Sequence, residues 1–281
     1  MTQDKLVLTV IGLQRSGNHA VIDWIGSLFP AFAFFNNNAH DLYADPEALR
    51  ALIAARPEPC VIFSFEDSPA KTRDAALTLV QSVLPFPTAA FPGIQSRTLF
   101  ILRDPYNQWA SRVMARRMAA ERGTALTSDP SWEKFRADWM GFAALQAARP
   151  QDFILFNRWF RDRAYRQDLC ASLGGRYSEA TLGDIPAAGG GSSFDALPRK
   201  SYLAMLADWR RYASGKFLAR LATKPGYYLR RLTSKPASGA SLKVDQRWQT
   251  LSADPETAAI FGDTALKSGA SAIFGPDGIP N

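Results

Sequence analysis

Cysteine and histidine are both scarce: the 281 residues hold two of each, Cys60 and Cys170, His19 and His40. Two cysteines make neither a disulfide framework nor a zinc pattern, so a reducing compartment is expected. Two histidines make a histidine-rich metal site an unexpected feature. Long apolar runs are missing as well. Leu6 to Ile11 is too short for a secretory signal, and the longest later stretch, Trp24 to Phe35, is cut by Pro30 well short of a membrane span. These absences predict a soluble cytoplasmic protein. Acidic side chains are outnumbered, 26 against 33 Lys and Arg, for a net charge of +7 that favours anionic partners. The imbalance is steepest from Arg199 to Arg247, where only Asp208 and Asp245 are acidic.

What is present is concentrated at the start. Leu6-Val7-Leu8-Thr9-Val10-Ile11 is an apolar run without polar alternation, as in a strand buried on both faces. Gly12 to Gly17 follow as a short loop, and then Ala20, Val21, Trp24, Ile25 and Leu28 recur at helical spacing. A strand, a glycine-bounded loop and a helix N-terminus together present backbone N–H groups and a positive dipole end, an arrangement that holds phosphate or sulfate. A nucleoside-triphosphatase loop would need Lys and then Ser or Thr after its last glycine, for the β/γ-phosphates and magnesium. Here Gly17 is followed by Asn18 and His19, and the cation lies inside the loop at Arg15. The pattern predicts a nucleotide bound without magnesium.

Further strands are predicted at Cys60–Phe65, Arg97–Leu102 and Asp152–Phe156. Helices are predicted at Pro46–Ala55, Ala70–Leu84, Tyr106–Glu121, Trp132–Ala148 and Arg161–Leu173. The alternation implies an α/β fold, a central parallel sheet flanked by helices. Ligands of such sheets bind beyond the carboxyl ends of the strands, so Arg15, Glu66 and Arg103 should converge on one rim. The chain reads as a single domain over 1–281, with a nucleotide-binding core over 1–178 and a loop-rich, basic, helical C-terminal elaboration over 179–281. The latter holds the Gly189-Gly190-Gly191-Ser192-Ser193 loop and a final helical region, about Pro255 to Ile273, that packs back.

A second constellation is Leu102 to Arg112, LRDPYNQWASR. Arg103 ends a strand, Asp104 can cap the next helix, Pro105 suits its first position, and Ser111 lies two turns in. A guanidinium and a hydroxyl so placed can share one phosphate. Two anion sites imply a ligand phosphorylated in two places.

At these residues the chain resembles the sulfotransferases that use 3′-phosphoadenylyl sulfate (PAPS), a P-loop-like fold. Gln14-Arg15-Ser16-Gly17-Asn18-His19 looks like their 5′-phosphosulfate loop, usually Pro-Lys/Arg-Ser-Gly-Thr-Thr, with Asn18 and His19 in place of the two hydroxyl residues. Arg103 and Ser111 look like their 3′-phosphate motif. The resemblance is strong over 6–24 and 97–112, and weaker over 60–67 and 152–173. It implies PAPS as donor and no metal, with Arg15, Ser16, Gly17, Asn18, His19, Arg103 and Ser111 on the donor. The family's general base near the end of an intervening strand matches Glu66, with Asp67 in reserve. Phe156-Asn157-Arg158-Trp159 stands where the family carries carboxylates. For the family's C-terminal loop over the 3′-phosphate, Ser192 and Ser193 or Arg199 and Lys200 are the candidates, against a plain linker.

The chemistry implied is in-line sulfuryl transfer to a hydroxyl or amine of an acceptor, with a glycan favoured by the basic C-terminal part. Arg15 would stabilise charge on the leaving phosphate and Glu66 would take the acceptor's proton, an effect of roughly 10²–10⁴-fold. His19 would contact the donor or serve the helix terminus. The segment 199–247 is a solvated face, an acceptor surface or a peripheral membrane contact; nucleic acid is not an expected partner. Two alternatives stand: a P-loop kinase-like NTP-dependent phosphotransferase, and a non-catalytic polyanion-binding protein of the same fold.

Overall fold

A computed structural model describes residues 5–68, 71, 76–121, 131–182, 248–249 and 252–275. The Ser192–Ser193 loop, Arg199–Lys200 and the basic segment 199–247 lie outside the described residues. Five parallel strands form one sheet: β1 (Leu6–Gly12), β2 (Phe32–Phe35), β3 (Cys60–Glu66), β4 (Gln95–Leu102) and β5 (Phe153–Leu155), in the order β2-β3-β1-β4-β5. The apolar run places β1 at the centre. Every residue from Val7 to Gly12 is buried, which only an interior strand covered on both faces achieves.

Helices connect and cover the strands: α1 (Asn18–Ser27), α2 (Pro46–Ala54), α3 (Leu79–Ser82), α4 (Pro105–Glu121), α5 (Trp132–Ala148), α6 (Phe156–Arg161) and α7 (Arg163–Leu173). After the undescribed stretch, α8 (Pro255–Phe261) packs on α4 and α9 (Thr264–Phe274) on α5, so the final helical region does return to the core. Trp24 and Ile25 of α1 and Phe135, Trp139 and Phe142 of α5 are fully buried. No helix among the described residues is long and apolar enough to cross a membrane.

Three elements differ from the sequence pattern. β2 was not anticipated, because four apolar residues at the end of a longer apolar stretch carry no period that separates strand from helix. The expected helix Ala70–Leu84 is helical among its described residues only at Leu79–Ser82. Thr78 and Gln81 form a capping box that starts it, and Pro85 follows soon after. Phe156, expected to end a strand, instead opens α6. The expected Arg161–Leu173 helix is divided by Asp162, whose side chain accepts from Tyr165 N and starts α7 afresh.

The order fixes where a ligand can sit. The chain leaves β1 toward β2 on one side and leaves β4 toward β5 on the other, so the neighbouring β1 and β4 form the switch point whose carboxyl ends open a crevice. The register sets Gly12 beside Glu66 of β3 and beside Ile101 of β4. Trp139 of α5 supports this end of β4, its indole N–H donating to the Arg103 carbonyl at 3.0 Å from a fully buried position. Trp139→Phe removes that donor and part of the packing. It should cost about 2–4 kcal/mol, read as a lower urea midpoint.

Candidate functional site

The loop from Leu13 to Gly17 is held by its carbonyls. Gln14 O accepts from Gln108 Nε2 at 2.9 Å and from Arg112 Nε at 3.1 Å, both on α4. Arg15 O accepts from Arg103 Nη1 at 3.2 Å. The second constellation therefore reaches the first directly. Because carbonyl and following N–H oppose each other across a trans peptide, turning Gln14 O toward α4 turns Arg15 N–H away from it. Arg15 itself sits at φ 67, a left-handed conformation uncommon outside glycine that concentrates at binding loops. Gly17, at φ 92, has no alternative: a Cβ there would stand 2.2 Å from the Phe156 ring. Gly17 is the N-cap of α1 and brings no side chain of its own to the first N–H groups of that helix.

Arg103 is 3% exposed and its guanidinium lies 5.0 Å from the Phe156 centroid. Its neighbour Asp104 caps α4, accepting from Asn107 N at 2.8 Å. Asp104 also exchanges hydrogen bonds with Asn157: Asp104 N donates at 3.1 Å and Asn157 Nδ2 returns at 2.8 Å. Asn157, read from sequence only as a missing carboxylate, thus ties α6 to the β4–α4 turn. Ser111 is buried on α4, three residues after Gln108 and so on the same side of the helix.

The two adjacent carboxylates have different surroundings. Asp67 is 6% exposed and doubly engaged: Oδ1 accepts from Gln14 N, and Oδ2 lies 2.7 Å from Arg112 Nη2. Both of its oxygens serve the loop. Glu66 closes β3 with its carboxylate beside α1. Oε1 accepts from Asn18 Nδ2 at 3.0 Å and lies 3.9 Å from His19 Nε2. Burial pushes the Glu66 pKa up to about 6; Asp67 adds to this, while the Asn18 hydrogen bond, Arg15 and Arg112 oppose it. Burial, and then Arg15, lower the pKa of His19, which is neutral at neutral pH. His19 Nδ1 is buried without a hydrogen bond, and its ring meets Phe34 edge-on at 6.1 Å.

Sequence reasoning missed the supports. Gln108, Arg112 and Asn157 carry no motif, and their roles follow only from packing. His40 was counted only as one of a scarce residue. It is fully buried, with Nε2 on the Glu66 carbonyl at 2.9 Å and Nδ1 on Ser82 Oγ at 2.8 Å. A carbonyl only accepts, so Nε2 carries the proton. The Ser16 hydroxyl donates to Asn18 Oδ1, and the Asn18 amide turns inward, toward the Gly12 carbonyl. Among the described residues no three His, Cys, Asp or Glu side chains cluster as a metal site would require.

The carboxylates should respond oppositely to neutralisation. A folded pKa raised from 4.5 to about 6 means that stability falls as pH rises through that interval. Ionised Glu66 then costs up to about 2 kcal/mol at pH 7.5. Glu66→Gln should raise the urea midpoint at pH 7.5 and change it little at pH 4. Asp67→Asn breaks a buried ion pair and should lower the midpoint, by about 3–5 kcal/mol of stability.

No protein-family model and no curated protein matches this chain, so the function of the site is argued from its own residues and geometry.

Proposed function

We propose that the chain is a PAPS-dependent sulfotransferase, moving a sulfuryl group to a hydroxyl or amine of an acceptor, with a glycan as the favoured class. The observation that carries this reading is the clamp on the Gln14–Arg15 carbonyls. It joins the loop after β1, the end of β4 and α4 at the switch point, with Glu66 one strand away. In this reading the loop so fixed turns the Arg15 N–H and the start of α1, where Gly17 brings no side chain, toward an anion. It supplies neither the Lys nor the Ser/Thr that a magnesium nucleotide requires.

In this reading the adenosine 3′-phosphate 5′-phosphosulfate donor is a substrate, and Arg15 faces its phosphosulfate. As the bond from sulfur to the bridging oxygen breaks, negative charge collects on the leaving phosphate, where Arg15 and the loop N–H groups stabilise it. Sulfur bonds to the acceptor oxygen in the same step, and Glu66 takes the acceptor's proton. A carboxyl with a pKa of about 6 suits this task, being ionised at neutral pH yet more basic than an exposed glutamate. His19, its pKa lowered by burial and then by Arg15, stands beside Glu66 as a neutral ring. Residues 199–247 supply the acceptor or membrane surface in this proposal.

Calorimetric titration with adenosine 3′,5′-bisphosphate and with ATP, each with and without magnesium, is the decisive test. Binding of the bisphosphate without magnesium is expected; magnesium-dependent binding of ATP in its place would favour a phosphotransferase. Binding without transfer to any acceptor would favour the non-catalytic reading. Transfer should fall off below a midpoint near pH 6 as Glu66 protonates, and Glu66→Gln should lower it roughly 10²–10⁴-fold.

Arg103 carries a separate test, because its guanidinium already holds Arg15 O. Arg103→Ala should weaken adenosine 3′,5′-bisphosphate more than adenosine 5′-phosphate if the side chain also grips the 3′-phosphate. Equal losses would assign it to the loop alone.

A further inference from the structure

Asn18 follows the last glycine of the loop, yet its amide points away from any ligand of that loop. Its side chain is 4% exposed, and every hydrogen it can donate is used. Nδ2 donates to Gly12 O at 3.2 Å and to Glu66 Oε1 at 3.0 Å, while Oδ1 accepts from the Ser16 hydroxyl. The orientation is unambiguous, because a flipped amide would set its oxygen against two acceptors, a carbonyl and a carboxylate. Gly12 is shaped around this arrangement: a Cβ there would stand 2.0 Å from Asn18 Oδ1. A glycine at the end of a fully buried strand is accounted for by the side chain that fills its place.

We propose that Asn18 is a positioning residue for Glu66: its amide holds Oε1, so that Oε2 is the oxygen that takes the acceptor's proton, and it joins the anion loop to the base through Ser16. The inference rests on Glu66 serving as the base of the proposed transfer, and it moves the Asn18 side chain from donor binding to the base. In the transfer step the proton passes from the acceptor oxygen to Glu66 Oε2 as the new sulfur–oxygen bond forms and the bridging bond breaks. The Asn18 contact to Oε1 is retained in both states, since an amide N–H can be accepted by a carboxylate or by the carbonyl oxygen of a carboxylic acid. The other groups facing Glu66 are His19 at 3.9 Å, Asp67, Arg15 and Arg112, with His40 on its carbonyl.

The test is a direct titration of the Glu66 carboxyl by carbon-13 NMR on glutamate-labelled full-length protein, with Glu66→Gln assigning the signal. An amide donor favours the charged carboxylate, so Asn18→Ala should move the midpoint upward by about one unit, a tenfold higher proton affinity. Asn18→Asp has nearly the same shape and replaces the donor with a like charge; it should move the midpoint further in the same direction and serves if the alanine variant does not fold. Gly12→Ala, which displaces Asn18 without altering it, should shift the midpoint upward too. The acid limb of the transfer rate should move with the titration, with kcat lowered more than the affinity for adenosine 3′,5′-bisphosphate. An unchanged midpoint in the Asn18 variants overturns the proposal, as does a loss confined to bisphosphate affinity. The titration needs neither donor nor acceptor. A wild-type protein that fails to bind the bisphosphate therefore counts against the sulfotransferase reading, while a shifted midpoint still supports the Asn18 assignment.

Discussion

Two backbone carbonyls, those of Gln14 and Arg15, set the geometry of the crevice. Within the five residues that follow the sheet's central strand the chain must turn sharply, and its peptide groups must find partners away from water. Arg103, Gln108 and Arg112 meet the carbonyls, Asp67 meets the Gln14 N–H, and Ser16 N closes back on Leu13 O at 3.1 Å. Once the carbonyl side is occupied, the direction of the Arg15 N–H is no longer free. The left-handed Arg15 and Gly17 backbones are the local cost of that turn, and the buried partners over-determine it.

The same partners settle the electrostatics. Arg112 is matched by Asp67 at 2.7 Å and stacks on Phe135 at 4.8 Å, so this cation belongs to the scaffold. Arg15 is half-buried, and its charge acts on both His19 and Glu66, lowering the pKa of each. For Glu66 that influence and the Asn18 hydrogen bond only partly offset the loss of water around the carboxylate. Burial raises the pKa of Asp67 as well, but both of its oxygens are taken up, by Arg112 and by the Gln14 N–H, whereas Glu66 has one amide donor on Oε1; a bound carboxylate beside a less engaged one is a division expected where one is structural and its neighbour chemical.

Much of the fold was legible because its signals are local. The buried run at Leu6–Ile11, the glycines at 12 and 17 and the Asp104-Pro105 start of α4 each specify a strand, a turn or a helix within a few residues. The convergence of Arg15, Glu66 and Arg103 on one rim followed from strand ends alone, and β1, β3 and β4 do end together. What was not legible depends on pairs distant in sequence. Gln108 gives no sign that its amide serves a carbonyl 94 residues earlier, nor does His40 that it holds the carbonyl of Glu66. β2 is too short to show a period, and α3 is fixed by a capping box inside what reads as a longer helix. For Asn18, motif and geometry diverge: spacing from Gly17 points to the ligand, while the vacancy at Gly12 draws the side chain to the sheet.

That divergence bears on why the loop carries Asn where a triphosphatase carries Lys. A Lys at position 18 could not fill the space against Gly12 in the same way. Its ammonium has no acceptor with which to meet the Ser16 hydroxyl, and its longer stem would need a path out toward the ligand. An amide is short, both donor and acceptor, and uncharged, so it can bind a carbonyl, a carboxylate and a hydroxyl together within a buried space. An uncharged donor also leaves Glu66 basic: an ammonium at 3 Å would depress its pKa far more than a neutral N–H does. In the proposed transfer, keeping the loop's cation at Arg15 and placing an amide beside Glu66 serves two requirements at once, charge for the anion and basicity for the proton acceptor. A loop with Lys at position 18 would sacrifice the second of these.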